Sequence, residues 1–299
     1  MLFAAQVCFA SLSVIGRETV MRIPPGVVPL VRTAGGAIVF CAVAAAMGVL
    51  RLHRRDLPFL LLCALTGVVL NQELFIHGLA YSGAINATVL GSTIPVFTVI
   101  AALALRREHF HWRRGAGIAM AFAGAGYLVG ISDFSVGGDH LLGSMMVLGN
   151  AASYGLYLVI VRKLKDRYDP IGLIAVLFVL ALPMTIPVGI AEWSAMPVLT
   201  GADYGRLAFL IAVPTVAAYA LVQLSLKRAE STLVAAYIYL QPVFVTFGAM
   251  ARLHEQPSSR VLIAAPVVFV GVFLASRAPA QKIVVNPEQP THEPPNSRA

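Results

Sequence analysis

The sequence predicts an all-α membrane protein of ten transmembrane helices, arranged as two inverted five-helix repeats around a central cavity. Three features predict this architecture: the composition, the length of the apolar segments and an internal repeat. Hydrophobic residues make up 58% and charged residues 12% of the 299 residues, a balance typical of chains that lie in lipid. A spanning helix needs roughly 20 mainly apolar residues, and segments of that kind fill nearly the whole chain.

Ten apolar segments, joined by short loops, are the predicted spans. They cover residues 1–19, 27–50, 58–81, 85–105, 115–131, 142–162, 170–191, 204–226, 233–252 and 261–277. The first span is similar to a signal peptide, but Arg17 and Glu18 stand where a cleavage site would follow the apolar core, so we expect it to be retained. Because no basic residue precedes this span, we also expect a few residues upstream of Met1.

The second half of the chain repeats the first. Residues 79–131 recur without gaps 147 positions later, so that Pro95-Val96-Phe97 returns as Pro242-Val243-Phe244 and Glu108 returns as Glu255. Internal repeats of this kind are typical of transporters with a site at the repeat interface. Each half holds five spans, an odd number, so the halves should be inserted in opposite orientations. The predicted units are residues 1–135 with spans 1–5, residues 140–277 with spans 6–10, and a disordered cytoplasmic tail, 278–299.

The formal net charge of +8 does not indicate nucleic-acid binding, because the basic residues sort by loop. If the N-terminus is cytoplasmic, most of the 22 lysines and arginines face the cytoplasm, which predicts a multi-pass inner-membrane protein with both termini inside. Cys8, Cys41 and Cys63 lie within spans and offer neither a disulfide framework nor a metal-binding spacing. The sequence contains no GxxxxGK[ST] loop. We therefore expect no ATP hydrolysis, no metal and no cofactor.

Polar side chains recur at helical spacing along several spans. A charged group at the centre of a spanning helix costs roughly 2.5 to 3.5 kcal/mol, so such groups usually face a cavity or a partner. We predict one substrate cavity to which both halves contribute. Its candidate residues are Gln6, Ser13, Asn71, Glu73, His77, Asn150, Tyr154, Tyr157, Tyr219, Gln223, Tyr237 and Gln241. Tyrosine rings with hydroxyls, together with amides, suit a small amphipathic solute.

Two questions about these residues stay open in the sequence. The polar groups could instead hydrogen-bond one helix to another, for about 0.6 kcal/mol each. Glu73 could exchange a proton as substrate binds and so couple transport to the proton gradient, or it could form a static ion pair with His77, Arg17 or Arg32.

Prolines at repeat-equivalent positions predict two hinges. Pro95 and Pro242 lack an amide hydrogen and leave a carbonyl without its helical partner, which weakens each helix. Gly91 lies about one turn before Pro95 and adds freedom at the same place. We predict hinges at Gly91, Pro95 and Pro242, with prolines in static membrane helices as the alternative.

The order and spacing of these features resemble the drug/metabolite transporter (DMT) superfamily, in particular its EamA type with two five-helix repeats. The resemblance covers residues 1–277 and rests on Arg32, Gly78-Leu79-Ala80-Tyr81, Pro95-Val96-Phe97 with Glu108, Gly124, and Leu240-Gln241-Pro242-Val243-Phe244 with Glu255. Phe9-Ala10-Ser11 only approximates the aromatic-small pair near the start of the family's first span. The resemblance implies an exporter of amino acids, other small metabolites or drugs.

Transport is favoured over two other classes of function. An intramembrane enzyme using Glu73 and His77 as acid and base would need an HExxH motif or paired intramembrane aspartates, and the sequence has neither. A scaffold or receptor would need a sizeable loop or an extramembrane domain. We expect a non-enzymatic carrier that exports a small amphipathic metabolite such as an amino acid by alternating access, with proton coupling left open. A multidrug or nucleoside carrier of the same fold is the alternative.

The expected partners are a small-molecule substrate and the lipid bilayer, with no nucleic acid. Five-plus-five repeats complete a site within one chain, so a monomer should suffice. The sequence has no basic residue clearly placed at mid-membrane, which argues against phosphorylated cargo such as sugar phosphates. Arg32 is the one candidate exception.

Overall fold

Every regular element in the part of the chain that the computed structural model describes is a helix, namely within residues 1–105, 112–129, 138–228, 234 and 237–277. The α-helices are α1 (Leu2–Val20), α2 (Val27–Ala46), α3 (Leu57–Ala64), α4 (Leu70–Ser82), α5 (Ala84–Gly91), α6 (Ile94–Ala104), α7 (Trp112–Val129), α8 (Gly138–Ile160), α9 (Pro170–Trp193), α10 (Gly201–Ile211), α11 (Ala218–Leu226), α12 (Gln241–Arg252) and α13 (Ser259–Arg277). The predicted all-α class holds for these residues, whereas Glu108 and the predicted tail, 278–299, lie outside them.

Six stretches of the described residues are long and apolar enough to cross a membrane. They are Val27–Ala46, Arg54–Ser82, Ala84–Ala104, Gly138–Leu164, Pro170–Trp193 and Gly201–Leu226, and Gly115–Leu128 and Ser259–Ala275 are shorter apolar helices. Helix α1 coincides with the first predicted span but carries Arg17 and Glu18 in its last turns.

The third and eighth predicted spans each contain a π-helical turn at the same place in the repeat. Helices α3 and α4 are joined through Leu65–Val69, and α10 and α11 through Ala212–Ala217. Leu65 and Ala212 are 147 positions apart, which is the offset of the sequence repeat. In the second turn the cause is visible, because Pro214 has no amide hydrogen to give to the carbonyl of Leu210 and the chain must widen locally.

The fourth predicted span is two helices rather than one. Helix α5 ends at Gly91 and α6 begins at Ile94, with Pro95 in its first turn, where the missing amide hydrogen costs nothing. Helix α12 begins at Gln241, again directly before a proline. Ile94 and Gln241 are also 147 positions apart, so an α-helix begins at the same repeat position in both halves. It follows a turn in the first half and the 3-10 helix Tyr237–Leu240 in the second.

Helices from the two halves pack against each other in matched pairs. Helix α2 packs along α9 and α7 along α13, while α4 packs on α8 and α1 packs on α10 and α11. The α4 and α8 backbones approach closely because Gly78 and Gly143 face each other; a Cβ on Gly78 would lie 2.8 Å from the Gly143 carbonyl oxygen. Small residues at such crossings are the usual way in which membrane helices pack.

Candidate functional site

A cavity of about 60 Å³ lies between the helices, with walls from both halves of the chain. A water needs roughly 10 to 15 Å³ measured in this way, so the cavity holds a few waters at this size. The lining residues are Gln6, Phe9, Leu12, Arg32, Asn71, Gln72, Phe75, Thr88, Gly91, Ile94, Asn150, Tyr154, Leu158, Tyr219, Val222, Val234, Ile238 and Gln241.

The cavity wall repeats the internal symmetry of the sequence. Four pairs of lining residues are 147 positions apart: Gln72 with Tyr219, Phe75 with Val222, Gly91 with Ile238, and Ile94 with Gln241. The third and eighth spans and the fourth and ninth spans therefore present equivalent positions to one space.

A chain of hydrogen bonds crosses the wall from α8 to α11. The Asn150 amide donates to the backbone carbonyl and the side-chain oxygen of Asn71, both at 2.7 Å, and the Asn71 amide donates to the Tyr219 hydroxyl at 2.6 Å. That hydroxyl donates in turn to the carbonyl of Gly67, in the first π-turn, at 3.3 Å. A second link joins α12 to α1, where the Gln241 amide donates to Gln6 at 2.6 Å.

Arg32 is a cation buried in the wall, with only 1% of its surface exposed. Its Nε donates to the Thr215 hydroxyl at 2.9 Å, and that hydroxyl donates to the Leu210 carbonyl at 2.7 Å. Pro214 has no N–H to donate to the Leu210 carbonyl, and the Thr215 hydroxyl donates to that carbonyl instead. Because the Thr215 hydrogen is used in this way, its oxygen is available to accept from the Arg32 guanidinium. Arg32 Nη1 has no hydrogen-bond partner, and none of the ion pairs found in the described residues includes Arg32.

Gln72 lies in the same wall with only 2% of its surface exposed. Neither its amide nitrogen nor its amide oxygen has a hydrogen-bond partner. Buried polar atoms are normally paired, and leaving one unpaired costs roughly 1 to 3 kcal/mol. The neighbouring Asn71 has hydrogen-bond partners at both its amide nitrogen and its amide oxygen. The two amides of α4 therefore differ in their hydrogen bonding.

The structure brings six of the twelve candidate cavity residues and one predicted hinge residue to the wall. These are Gln6, Asn71, Asn150, Tyr154, Tyr219, Gln241 and Gly91. The other six lie outside the wall: Ser13, Glu73, His77, Tyr157, Gln223 and Tyr237. Ser13 accepts a hydrogen bond from Thr88, and Tyr157 accepts one from Gln223, so these polar groups join helix to helix.

Glu73 and His77 belong to a separate cluster with Glu192 of α9. The carboxylate of Glu73 is buried, and neither of its oxygens has a hydrogen-bond partner. His77 lies between the two acids, with Nδ1 3.7 Å from Glu73 and Nε2 3.2 Å from Glu192. Of the three possible ion-pair partners predicted for Glu73, the structure places His77 beside it. The other two have different partners: Arg17 pairs with Glu255, and Arg32 donates to Thr215.

Charged residues meet at one end of the bundle, here called the ion-paired end. Its members are Arg17, Glu18, Arg22, Asp203, Arg206, Arg252 and Glu255. Glu18 pairs with both Arg252 and Arg206, and Asp203 pairs with both Arg206 and Arg22.

Glu255 holds three helices together at the ion-paired end. Its carboxylate lies 3.4 Å from Arg17 Nε and accepts from the backbone amides of Ala84 and Ile85, the first residues of α5. Arg17 also donates to the Leu79 and Ala80 carbonyls at the end of α4. The turn between α4 and α5 passes through Gly83 at φ +80°, a conformation that favours glycine. A carboxylate at a helix N-terminus is favourable on both hydrogen-bonding and dipole grounds.

Sequence reasoning missed several lining residues, of which Arg32 and Gln72 carry the most polar chemistry. Arg32 was considered as a feature of the resemblance and not as a cavity residue. Gln72 lies between Asn71 and Glu73, and the signal that could have found it is its offset of 147 from Tyr219. As for metals, the described residues contain no cluster of three His, Cys, Asp or Glu side chains that could hold an ion.

The sequence pattern of the EamA-like transporter family matches residues 1–130 and 141–277, nearly all of the predicted repeats 1–135 and 140–277. The chain belongs to the EamA-like transporter family. The DMT-type resemblance is thereby confirmed, and the all-helical protein with its apolar helices is a multi-pass membrane transporter.

Relatives of this EamA-like transporter are also named as transporters or exporters. An "Uncharacterized transporter" of Archaeoglobus fulgidus is 30% identical over 216 residues, 71% of this chain and 74% of the relative. A "Probable terminal-alkyne amino-acid exporter" of Streptantibioticus cattleyicolor is 29% identical over 255 residues, 83% of this chain and 82% of the relative. One solved crystal structure aligns with a TM-score of 0.65 at 18% identity, covering 92% of this chain and 94% of the other, and so has the same fold.

Proposed function

We propose that this EamA-like transporter is a secondary carrier that exports a small amphipathic metabolite of the amino-acid class by alternating access. The observation that carries the proposal is the cavity between the helices, whose wall contains four pairs of repeat-equivalent residues from the two halves. A site built at equivalent positions of two repeats is the arrangement that allows one substrate to be exposed in turn to either side.

Ten helices in two inverted halves are part of this proposal. Helices α2 with α9 and α7 with α13 pair repeat-equivalent spans, and the contact of α4 with α8 has its equivalent in the contact of α10 and α11 with α1. A twofold axis in the membrane plane would exchange the members of each pair. The matched π-turns and the matched helix starts before Pro95 and Pro242 support the same relation.

In the described conformation, ion pairs join α1 to α10 and α12 at the ion-paired end. Gln6 and Gln241 lie at the opposite ends of α1 and α12 from that end, and both line the cavity. With both termini in the cytoplasm of an inner-membrane protein, as the distribution of basic residues favours, the ion-paired end faces the periplasm. Opening this end requires several ion pairs to separate together. Because both partners of each pair belong to the same chain, a monomer suffices for this movement.

The substrate class rests on the cavity and on one relative. Amides, tyrosines and phenylalanines in the wall suit a solute with a polar head and an apolar body, and the named function of the Streptantibioticus relative is amino-acid export. At about 60 Å³, the cavity is far below the roughly 300 Å³ or more of a typical ligand pocket. The helices must therefore part for a solute to enter.

Counterflow in proteoliposomes tests the proposal. Vesicles with the purified protein are loaded with one unlabelled solute from pools of amino acids, nucleosides or cationic drugs, and uptake of the labelled solute is followed. Saturable exchange of an amino acid, absent from protein-free vesicles, is expected. Exchange of drugs or nucleosides alone would replace the proposed substrate class, and no exchange of any pool would contradict the carrier function.

Proton coupling through Glu73 is a further part of the proposal. A buried carboxylate with no hydrogen-bond partner, next to His77 and Glu192, is a group for which binding a proton removes an unfavourable charge. The Glu73→Gln variant should still exchange labelled for unlabelled substrate at equal pH, but should lose accumulation driven by a pH gradient. Gradient-driven accumulation that persists in this variant would rule out Glu73 as the coupling group.

A further inference from the structure

We propose that Arg32 and Gln72 form a subsite that binds the carboxylate of the transported solute, so that the cargo carries one negative charge at the end that meets this wall. This inference rests on the proposed carrier function and names a chemical requirement of its substrate.

Arg32 carries the first part of the argument. Among the described residues of the cavity lining it is the one charged residue, it is 99% removed from solvent, and its Nη1 has no partner. Burying an uncompensated charge is costly, and arginines inside membranes usually mark substrate paths. The Thr215 hydroxyl accepts from Nε at 2.9 Å, which leaves Nη1 of this lining residue without a partner.

Gln72 carries the second part independently. Its amide offers an N–H donor and a carbonyl acceptor, and both are unpaired in the same wall. An α-amino acid carries its carboxylate and its ammonium group on the same carbon. One glutamine amide can donate to the first and accept from the second, while the guanidinium binds the carboxylate with charge assistance.

The charge of the lining restricts the class of anion. Arg32 is the single buried cation among the described lining residues. A carboxylate therefore neutralises the wall, whereas a phosphate monoester would leave a second negative charge buried and unpaired. A cationic solute without a carboxylate would place a second positive charge beside Arg32 with no anion between them. The subsite therefore selects zwitterionic or monoanionic carboxylic acids over amines, amides and phosphate esters.

A binding experiment tests the subsite without requiring transport. Thermal unfolding of the purified protein in detergent is followed with 4-methylpentanoate, its neutral amide 4-methylpentanamide, and inorganic phosphate. Only the carboxylate should raise the unfolding temperature of the wild type. Arg32→Gln should weaken its binding roughly 10- to 100-fold, as loss of a charged hydrogen bond implies, and Arg32→Lys should fall between the two.

Two matched variants keep the result interpretable. Thr215→Val removes the Nε partner and keeps the cation, so it should lower the unfolding temperature yet retain the preference for the carboxylate over the amide. Gln72→Leu should weaken carboxylate binding while folding normally. If the carboxylate and the amide act alike on the wild type, or if Arg32→Gln binds the carboxylate as well as the wild type, the subsite does not exist.

Counterflow separates this inference from the proposed function. L-leucine, leucinamide and 3-methylbutylamine are compared in vesicles, and exchange of leucine with at least about tenfold preference over the other two is expected. Equal exchange of all three would overturn the subsite and leave the carrier function standing. Absence of any exchange, with carboxylate binding still dependent on Arg32, would overturn the carrier function and leave the subsite standing.

Discussion

At the ion-paired end, each of four arginine side chains lies beside a carboxylate, whereas in the cavity wall Arg32 lies beside a threonine hydroxyl. Arg17 pairs with Glu255, Arg252 with Glu18, and Arg22 and Arg206 with Asp203. Arg32 is also the most deeply buried of the five, with 1% of its surface exposed. Arg17 Nε and Arg206 Nε make no hydrogen bond, as Arg32 Nη1 makes none, but each arginine at the ion-paired end has a carboxylate beside it. Among the described residues, no carboxylate pairs with Arg32.

A contrast between paired and unpaired groups also exists among the glutamines, of which Gln6, Gln72 and Gln241 all line the cavity. Gln223 is bonded to Tyr157 and Gln241 to Gln6, while Gln72 in the cavity wall has no partner at either polar atom. Polar groups that are paired within the protein stabilise the closed bundle. Polar groups that are unpaired in a shared cavity reduce the stability of the protein. A ligand that hydrogen-bonds to them raises that stability when it binds.

The largest loss of stability is expected for Glu255→Gln at the ion-paired end. The change leaves Arg17 without a carboxylate and weakens the cap on α5. Removing one partner of a fully buried pair costs roughly 3 to 5 kcal/mol. Because both side chains here are about a quarter exposed, we expect about 2 kcal/mol, measured as chemical unfolding in detergent.

The matched control for Glu255→Gln is Asp56→Asn at the other end of the bundle. Asp56 accepts from Arg167 and Tyr168, but Arg167 is 67% exposed. A pair of this kind is worth under about 1 kcal/mol. Equal losses for the two variants would mean that the ion-paired end is no more stabilising than an ordinary surface pair.

Two glutamine variants should change stability in opposite directions. Gln223→Leu removes the partner of the buried Tyr157 hydroxyl and should cost about 1 to 2 kcal/mol. Gln72→Leu removes two unpaired polar atoms from a buried position and should leave the unfolding free energy unchanged or raise it by about 1 kcal/mol. Substrate exchange should fall at least about tenfold in Gln72→Leu. A marked loss of stability in that variant would show that Gln72 is already paired in the protein.

Much of the helical framework follows from the sequence, because a run of about 20 apolar residues between turn residues has few alternatives in lipid. The predicted segments 27–50, 170–191 and 204–226 match α2, α9 and the α10 to α11 segment to within a few residues. The break between Gly91 and Ile94 was signalled only as a weak point, since a proline tolerated in a helix and a proline that begins a helix look alike in sequence.

The candidate site was less predictable, because helical spacing tells which polar residues share a face and not which neighbour that face meets. The consecutive residues Asn71, Gln72 and Glu73 have three different environments. Asn71 is hydrogen-bonded to Tyr219, Gln72 is unpaired in the cavity, and Glu73 lies beside His77. Only the packing of α4 against its neighbours distinguishes them. Thr215 shows the same limit, since its role depends on a π-turn that Pro214 produces.

The hinge prediction concerns how the cavity region moves relative to the ion-paired end. Replacing Pro95 and Pro242 together by Ala lets the fourth and ninth spans form continuous helices, since an amide hydrogen is restored at each interruption. Equilibrium binding of 4-methylpentanoate should stay within about twofold of the wild type, whereas the counterflow rate should fall several-fold. An unchanged rate would indicate that the two interruptions are static.

The smallest effect is expected for Arg22→Gln at the ion-paired end. The Arg22 side chain is 48% exposed, and its partner Asp203 keeps both Arg206 and the Thr200 cap when Arg22 is lost. A solvent-exposed pair contributes little, so the unfolding temperature should not change measurably. Arg206→Gln removes a side chain that is 22% exposed and pairs with both Asp203 and Glu18, so it should lower that temperature. Because the two arginines meet the same carboxylate oxygen, equal effects would mean that burial and shared partners do not decide which charges hold this end closed.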